Sequence, residues 1–294
     1  MPDQPCQPEP RASSASRVSA APDRPSTTAI EVAVAVDDYD VVLDLLWRYQ
    51  PHAVVEATDR AGVTFTVAYS SDERLAQVRR ALASLEAEIR MRQDVDDWVG
   101  TWRAGAAPIA VGPFSVRLPE HESDAGAVLD LVIEPGTTFG FSHPSTTLAL
   151  ELLSRSRPVT EGSVRVADVG CGSGILSVAA ASLGGHVVDA VDIDPTAVGA
   201  ARHNAAENGL EISCAVGSAT SLPQGAYAIV LANLTAATLR ELRIDLERLV
   251  ATGGELVLSG MLVHQAEEVA GWFAGFELVD RIIDGEWVAM RLRR

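Results

Sequence analysis

Residues 166–174 read Val166-Ala-Asp-Val-Gly-Cys-Gly-Ser-Gly174, a glycine-rich turn that follows a short apolar run. The apolar run predicts a buried strand, and the glycines let the backbone approach a ligand that side chains would exclude. A helix that begins directly after the turn would present its free N–H groups to that ligand. The segment therefore predicts the first strand, turn and helix of an α/β domain that binds a nucleotide-like cofactor.

The spacing of the glycines favours S-adenosylmethionine as the cofactor. Gly170, Gly172 and Gly174 follow a G-x-G-x-G pattern, whereas a dinucleotide fingerprint reads G-x-G-x-x-G. Asp168 precedes the first glycine, where its charge would attract a cationic sulfonium and amino group and would repel a pyrophosphate. Asp192 ends the next predicted strand, so its carboxylate is placed to accept both ribose hydroxyls. A nicotinamide-dependent oxidoreductase is a further alternative, which the glycine spacing disfavours.

Two more predicted strand ends supply candidate site residues. Ser218 and Ala219 follow the third strand of the domain, where adenine would pass along backbone amides. Asn233 follows the fourth strand, at the edge where ligands meet a doubly wound sheet. Its amide oxygen is expected to accept a hydrogen bond from a substrate amine, with a cap on the following helix as the alternative interpretation.

Strands and helices alternate through the second part of the chain. Strands are predicted over 164–169, 187–192, 212–216, 228–232 and 255–259, with helices near 174–184, 195–208, 235–250 and 264–274 and a terminal hairpin over 276–292. This alternation predicts an α/β fold with a doubly wound, mostly parallel sheet. Two further strands, over 109–118 and 129–133, lead into it.

The N-terminal part has a different pattern. Predicted strands over 30–36, 53–57, 63–69 and 89–92 and helices over 38–49 and 71–85 follow the order β-α-β-β-α-β, which indicates a small ferredoxin-like α+β domain. The region before it is rich in Pro, Ser and Ala and is expected to be a disordered tail, and a linker helix carrying Trp98 and Trp102 is expected to follow. The predicted divisions are 1–29, 30–93, 94–108 and 109–294.

Composition excludes several classes of protein. The formal net charge of -17 argues against a surface that grips nucleic acid and favours a basic partner. No apolar run reaches the roughly 18 residues of a membrane span, and residues 1–29 lack the apolar middle of a secretory signal. Three cysteines are too few and too scattered for a disulfide framework or a zinc cluster. We therefore expect a cytoplasmic protein without a metal site.

Other segments carry a narrower signature than the glycine turn. They are Glu134-Pro-Gly-Thr-Thr-Phe-Gly-Phe-Ser-His-Pro-Ser-Thr-Thr147, Asp192-Ile-Asp-Pro195, Ala232-Asn-Leu-Thr-Ala236, and Leu258-Ser-Gly-Met-Leu262 followed by Gln265. With the glycine turn they resemble the PrmA family, the bacterial methyltransferases of the large-subunit ribosomal protein eleven. The resemblance covers nearly the whole chain from Ile30. It implies a class I methyltransferase fold and an N-terminal domain that recognises the ribosomal protein.

The resemblance also assigns residues to the methyl-transfer site. Asn233 would orient the amine, Phe139 and His143 would line a loop over the methyl group, and Thr147 would contact the cofactor. A proton-accepting role for His143 competes with a role at a turn or helix start, because Pro144 follows it. The family typically reads Phe-Gly-Thr-Gly-Thr-His-Pro-Thr-Thr, whereas here two residues rather than three separate Gly140 from His143. The substrate side is therefore altered while the cofactor side matches.

The sequence thus predicts an S-adenosylmethionine-dependent N-methyltransferase that acts on lysine or N-terminal amines of a basic ribosomal protein. One alternative is a member of the same family that methylates another protein or a natural-product amine, as the altered loop suggests. A second alternative is a non-catalytic cofactor-binding module, which the retention of Asp168, Asp192 and Asn233 disfavours.

Overall fold

The computed structural model describes residues 28–35, 38–49, 53–59, 62–69, 72–83, 85, 87–92, 106–124, 126–135, 141, 143–156 and 164–294. Three sequence predictions fall outside these residues: nearly all of the predicted tail, the linker helix as far as residue 105 with its two tryptophans, and Phe139. Residues 106–108, the described end of the predicted linker, are not helical.

The N-terminal unit contains β1 (Thr28–Val34), α1 (Tyr39–Arg48), β2 (Ala53–Asp59), β3 (Gly62–Tyr69), α2 (Asp72–Leu82) and β4 (Glu88–Arg92). Its four strands form an antiparallel sheet in the order β2-β3-β1-β4. Alternate residues of β1 are buried, as are Leu75, Val78 and Leu82 at helical spacing on α2, so both elements turn one apolar face to a shared core. The predicted ferredoxin-like arrangement is confirmed.

A small sheet of three strands follows: β5 (Ile109–Val111), β6 (Phe114–Arg117) and β7 (Leu129–Val132). β5 pairs antiparallel with β6, and β6 pairs parallel with β7. The prediction of one strand over 109–118 is wrong, because Gly112 adopts a φ of 54° and turns the chain back on itself. Pro113 completes this turn.

The large sheet has seven strands: β8 (Val164–Val169), β9 (Gly185–Asp192), β10 (Ser213–Val216), β11 (Tyr227–Asn233), β12 (Val250–Leu262), β13 (Glu277–Asp284) and β14 (Trp287–Arg293). Their order is β10-β9-β8-β11-β12-β14-β13, with antiparallel pairing only at β12-β14-β13. The predicted doubly wound, mostly parallel sheet is confirmed. Strand order reverses between β8 and β11, so a crevice for ligands opens there.

Among the described residues, five helices accompany this sheet: α3 (Pro144–Ser154), α4 (Ile175–Ser182), α5 (Pro195–Glu207), α6 (Ala236–Leu249) and α7 (Ala266–Trp272). The last four match predicted helices, whereas α3 was not predicted as a helix. Most of α3 is buried, since Leu148, Leu150, Leu152 and neighbouring residues pack into the core. Within the described ranges, no helix combines the length and apolarity that a membrane crossing requires.

A buried ion cluster joins β12 to β14 and to the end of α3. Glu255, 1% exposed, accepts hydrogen bonds from Ser156 Oγ, from Arg293 Nη2 at 2.8 Å and from Arg291 Nη1 at 3.3 Å. Burial alone would raise the pKa of Glu255, but the hydroxyl and the two guanidinium groups outweigh it and hold the pKa below its ordinary value. The carboxylate is therefore charged and fully partnered inside the protein.

Removing this carboxylate should destabilise the fold. We expect Glu255→Ala to lower the free energy of unfolding by about 3 kcal/mol, because the buried guanidinium of Arg291 would keep only its longer ion pair with Asp280, at 3.7 Å. The matched control is Glu267→Ala, whose carboxylate pairs with Arg281 at 2.7 Å but is 82% exposed. That change should cost less than about 1 kcal/mol. Denaturant unfolding of both variants measures the difference, and equal losses would contradict a structural role for the cluster.

Candidate functional site

The predicted site residues meet along the carboxyl edge of the parallel strands. Asp168 of β8 pairs with Leu231 of β11, and Asp192 of β9 pairs with Val216 of β10. The glycine turn, Asp192, Ser218 and Asn233 therefore follow neighbouring strands at one edge of the sheet. This edge contains the point at which the strand order reverses.

The glycine turn leaves open space beside its backbone. Gly170, Gly172 and Gly174 all have positive φ angles, of 73°, 54° and 77°. A Cβ on Gly174 would lie 2.8 Å from the Cβ of Ala201, so α5 packs directly against the turn. A Cβ on Gly172 would meet no heavy atom within 4 Å. The turn is thus supported from one side and can receive a ligand at Gly172.

The carboxylate of Asp192 is held in place by backbone groups. Gly172 N donates to Asp192 Oδ2 at 3.0 Å, and Asp194 N donates to Asp192 Oδ1 at 2.9 Å. Each carboxylate oxygen can accept a further hydrogen bond. Asp192 is only partly buried, so its oriented oxygens can meet the two hydroxyls of a ribose, as the sequence predicts.

A second carboxylate makes the turn anionic. Asp168 is 1% exposed and accepts from Ser177 Oγ at 2.5 Å. Burial raises the pKa of Asp168 to about 6, although the Ser177 hydroxyl opposes the shift, and the charge of Asp192 raises it further. A ligand with a positive charge relieves this repulsion, whereas a pyrophosphate increases it. The residues therefore fit S-adenosylmethionine.

Cys171 lies within the turn but is not suited to react. Its side chain is 6% exposed, and burial, with the nearby charges of Asp168 and Asp192, raises the pKa of the thiol. The thiol stays protonated at neutral pH and is a poor nucleophile. Its packing beside Val198 and Ala201 of α5 is a structural role.

Asn233 presents an unpartnered amide oxygen. Its Nδ2 donates to Thr146 Oγ1 of α3 at 3.1 Å, which fixes the orientation of the amide. Its Oδ1 is buried and has no hydrogen-bond partner among the residues that the structure describes. The alternative interpretation of Asn233 as a helix cap is wrong, because the Thr235 side chain caps α6 by accepting from Thr238 N. An oriented buried acceptor without a partner is a natural contact for a substrate donor.

The segment Leu258-Ser-Gly-Met-Leu262 supports the strand end that carries Asn233. Gly260 has a φ of 86°, and a Cβ there would lie between 2.5 and 2.9 Å from backbone atoms of Leu234. Only glycine allows β12 to approach Leu234 so closely. Ser259 Oγ also donates to Ser145 O at 2.8 Å and so holds the first turn of α3. The segment therefore fixes both partners of the Asn233–Thr146 hydrogen bond.

His143 starts α3. Its Nδ1 accepts from Ser145 N at 3.2 Å as the helix cap, and its ring meets Trp287 edge-on with centroids 4.4 Å apart. These contacts favour the helix-start interpretation, and the proton-accepting role stays a prediction. Thr147 lies partly exposed in the first turn of α3, and its contact with the cofactor also stays a prediction.

The segment after β10 offers its main chain to a ligand, as the sequence predicts, and its contact with adenine stays a prediction. Ser218 Oγ is engaged by Thr220 N, and Ala219 is fully buried, so the main chain is the part of this segment available to a base. Two exposed apolar residues here were not predicted: Ile193, which follows Asp192 and is 80% exposed, and Val216, which pairs with Asp192 and is 56% exposed. An exposed apolar residue directly after an acidic strand end is the signal that could have identified Ile193 as a surface for a flat base.

One more polar group in the turn escaped the sequence prediction. Ser173 is 2% exposed, and its buried Oγ has no hydrogen-bond partner. Ser173 occupies a variable position of the G-x-G-x-G pattern, so the pattern itself assigns no role to its hydroxyl. Its unpartnered state makes it a further candidate contact for the polar end of the cofactor.

Residues 31–294 match the family model described as ribosomal protein L11 methyltransferase (PrmA). The ribosomal protein L11 methyltransferase of Geobacter metallireducens is 41% identical over 197 residues, which cover 65% of this chain and 64% of that relative, slightly under two thirds of its length. The protein of the same name from Carboxydothermus hydrogenoformans is 34% identical over 276 residues, 85% of this chain and 88% of the relative.

A solved structure shares the architecture. The crystal structure of a ribosomal protein L11 methylase from Lactobacillus delbrueckii subsp. bulgaricus is 28% identical and superposes with a TM-score of 0.56. The match covers 62% of this chain and 95% of that chain. The similarity thus extends from sequence to fold.

Replacing Asp192 should weaken cofactor binding. We expect Asp192→Ala to reduce the affinity for S-adenosylmethionine about tenfold to hundredfold, because a charged acceptor of two ribose hydroxyls is lost. The matched control is Asp194→Ala, which removes only the cap that α5 receives at Thr196 N. Calorimetric titration of both variants measures the effect. Native affinity in Asp192→Ala would remove this carboxylate from the site.

Replacing Asp168 should stabilise the protein at neutral pH while weakening the cofactor site. Because its pKa rises from 3.8 to about 6 on folding, the charged form is penalised by about 3 kcal/mol above pH 6, and the penalty vanishes below about pH 4. We expect Asp168→Asn to melt at a higher temperature than the native chain at pH 7.5, with the gain lost near pH 4, and to bind S-adenosylmethionine less tightly. A gain independent of pH would contradict this origin.

Proposed function

We propose that this chain, which belongs to the ribosomal protein L11 methyltransferase family, methylates amino groups of ribosomal protein L11 with S-adenosylmethionine as the methyl donor. The methyl acceptors are lysine side chains or the N-terminal amine. The observation that carries the proposal is the buried amide oxygen of Asn233, which has no partner and lies at a strand end beside the glycine turn. Such a group meets an N–H donor of an incoming amine.

The glycine turn and its two carboxylates hold the methyl donor. Asp192 accepts from the ribose hydroxyls, while the buried charge of Asp168 favours the cationic end of the molecule. The backbone at Gly172 borders open space and can be approached closely. The positive φ angles of the turn are held by hydrogen bonds of the protein itself, from Gly170 N and Cys171 N to Val191 O, and a turn fixed in this way needs little ordering on binding.

The protein's part in the reaction is alignment. When bound, S-adenosylmethionine supplies a methyl group already activated by its sulfonium. Asn233 Oδ1 accepts from the amine and directs its lone pair, while Thr146 prevents the amide from turning. No side-chain base is needed for an amine that attacks in its neutral form. This fits the engagement of His143 Nδ1 at the start of α3.

The N-terminal unit is proposed to recognise the protein substrate. The family model begins at residue 31, so this unit is part of what the family shares. The net charge of -17 attracts a basic ribosomal protein over long range. We propose that the enzyme acts in the cytoplasm.

The shortened loop between Gly140 and His143 gives little support to the alternative that the enzyme methylates a different substrate. Phe141 stands where the family typically has threonine, which on sequence alone adds bulk beside the methyl group. In the structure Phe141 is 2% exposed and belongs to the hydrophobic core. The added ring therefore packs inward, and a large change at the acceptor position is not required.

Methyl transfer and the role of Asn233 are tested together. The native chain, labelled S-adenosylmethionine and purified ribosomal protein L11 should give labelled L11, with the modified residues located by mass spectrometry. We expect Asn233→Ala to lower kcat about tenfold to a thousandfold, because the positioning contact to the amine is lost. Its cofactor affinity should stay within about twofold of native.

The control for Asn233→Ala is Thr235→Ala, which removes the cap of α6 two residues away. It should cost about 1 kcal/mol of stability and leave kcat in the folded fraction nearly unchanged. An unchanged kcat in Asn233→Ala would refute the positioning role. Label on a different protein of a lysate, with none on L11, would refute the substrate, and no transfer to any acceptor would refute catalysis.

A further inference from the structure

Asn204 of α5 and Asn208, the C-cap residue of this helix, bind the backbone at the end of β7 and just after it, as a neighbouring strand would. Asn208 Oδ1 accepts from Val132 N at 2.9 Å, and its Nδ2 donates to Val132 O at 2.7 Å. Asn204 Oδ1 accepts from Glu134 N at 2.8 Å, and its Nδ2 donates to Glu134 O at 2.9 Å. The two side chains lie four residues apart on one face of the helix, and their partners are alternate residues of an extended segment. The segment 132–134 is therefore fixed to α5.

The two asparagines differ in their third hydrogen bond. Asn204 Nδ2 also donates to Ser173 O in the glycine turn at 2.8 Å. Asn208 Nδ2 instead donates to Asn204 O within the helix at 2.7 Å. Each side chain thus makes three hydrogen bonds, but of the two only Asn204 reaches the cofactor turn.

The place of Asn204 in the fold makes this contact important. Asn204 is fully buried and lies one turn after Ala201, which packs against Gly174. Asn204 therefore contacts the glycine turn directly at Ser173 O and holds Glu134 with the same side-chain amide.

We propose that Asn204 is a positioning residue for methyl transfer, one that holds the glycine turn at a fixed spacing from the segment 132–134. This inference rests on the proposed function, since it assigns Asn204 a part in the same reaction. A side chain that only formed hydrogen bonds with buried backbone groups would do no more than Asn208 does. The proposal assigns Asn204 the additional role of positioning the glycine turn. The two roles therefore make different predictions for the two asparagines.

The test compares Asn204→Ala with Asn208→Ala, each of which loses three side-chain hydrogen bonds. Thermal melting first defines a temperature at which both variants are folded. At that temperature, we expect Asn204→Ala to bind S-adenosylmethionine and its demethylated product about tenfold more weakly, because the turn loses a hydrogen bond at Ser173 O. Its kcat at saturating cofactor should also fall about tenfold, while both quantities stay within about twofold of native in Asn208→Ala.

Hydrogen exchange supplies a readout that a purely structural role would not move. In the native chain and in Asn208→Ala, S-adenosylmethionine should slow exchange in a peptide covering residues 129–135. In Asn204→Ala the cofactor should leave this peptide unchanged, because the link from the turn to Glu134 is gone. If Asn204→Ala does not fold, Asn204→Ser replaces it: its single hydroxyl can donate to at most one of Glu134 O and Ser173 O, so affinity for S-adenosylmethionine should again fall, and native affinity in a folded Asn204→Ser would overturn the proposal.

Equal effects of the two alanine substitutions on affinity, kcat and exchange would overturn the proposal, as would native values in Asn204→Ala. The affinity and exchange measurements need no methyl acceptor. They therefore decide the role of Asn204 in joining the turn to residues 132–134 even if the native chain fails to methylate L11, an outcome that would refute the proposed function alone.

Discussion

The hydrogen bond from Gly172 N to Asp192 Oδ2 ties the end of β9 to the glycine turn after β8, and the site depends on it. A turn with three glycines at positive φ has many conformations open to it in the absence of fixed contacts. Gly170 N and Cys171 N add hydrogen bonds to Val191 O, so the turn is held along its length. The same carboxylate thus shapes the turn and keeps acceptor capacity for the ribose hydroxyls proposed to bind there.

The negative charge that makes this turn suitable for a cation lowers the stability of the folded protein. Asp168 is buried with a carboxylate neighbour and a raised pKa, so its charge opposes folding at neutral pH. The Ser177 hydroxyl offsets part of this cost by donating to the carboxylate. The Glu255 cluster shows the opposite design, because there a buried carboxylate is matched by two guanidinium groups and has a lowered pKa. The unmatched charge lies where a cationic ligand can match it.

Local patterns predicted the parts of the fold that local forces determine. Apolar runs and the glycine spacing identified β8, β9 and the glycine turn, because burial of a strand favours consecutive apolar residues and positive φ angles favour glycine. The break at Gly112 was missed, since a single glycine within an apolar stretch does not reveal its φ. The contacts of Asn233 with Thr146 and of Asn204 with Ser173 were also missed. Their partners are distant in sequence, so only the assembled sheet brings them together.

Asn233 and Thr146, the described residues proposed to align the acceptor amine, lie on β11 and α3. Thr146 and Ser145 belong to α3, whose buried face packs into the core, and Ser259 of β12 holds the start of that helix. Asn233 stands at the end of a strand paired on both sides. The orientation of its amide oxygen therefore follows from rigid elements, which position reacting groups better than loops do.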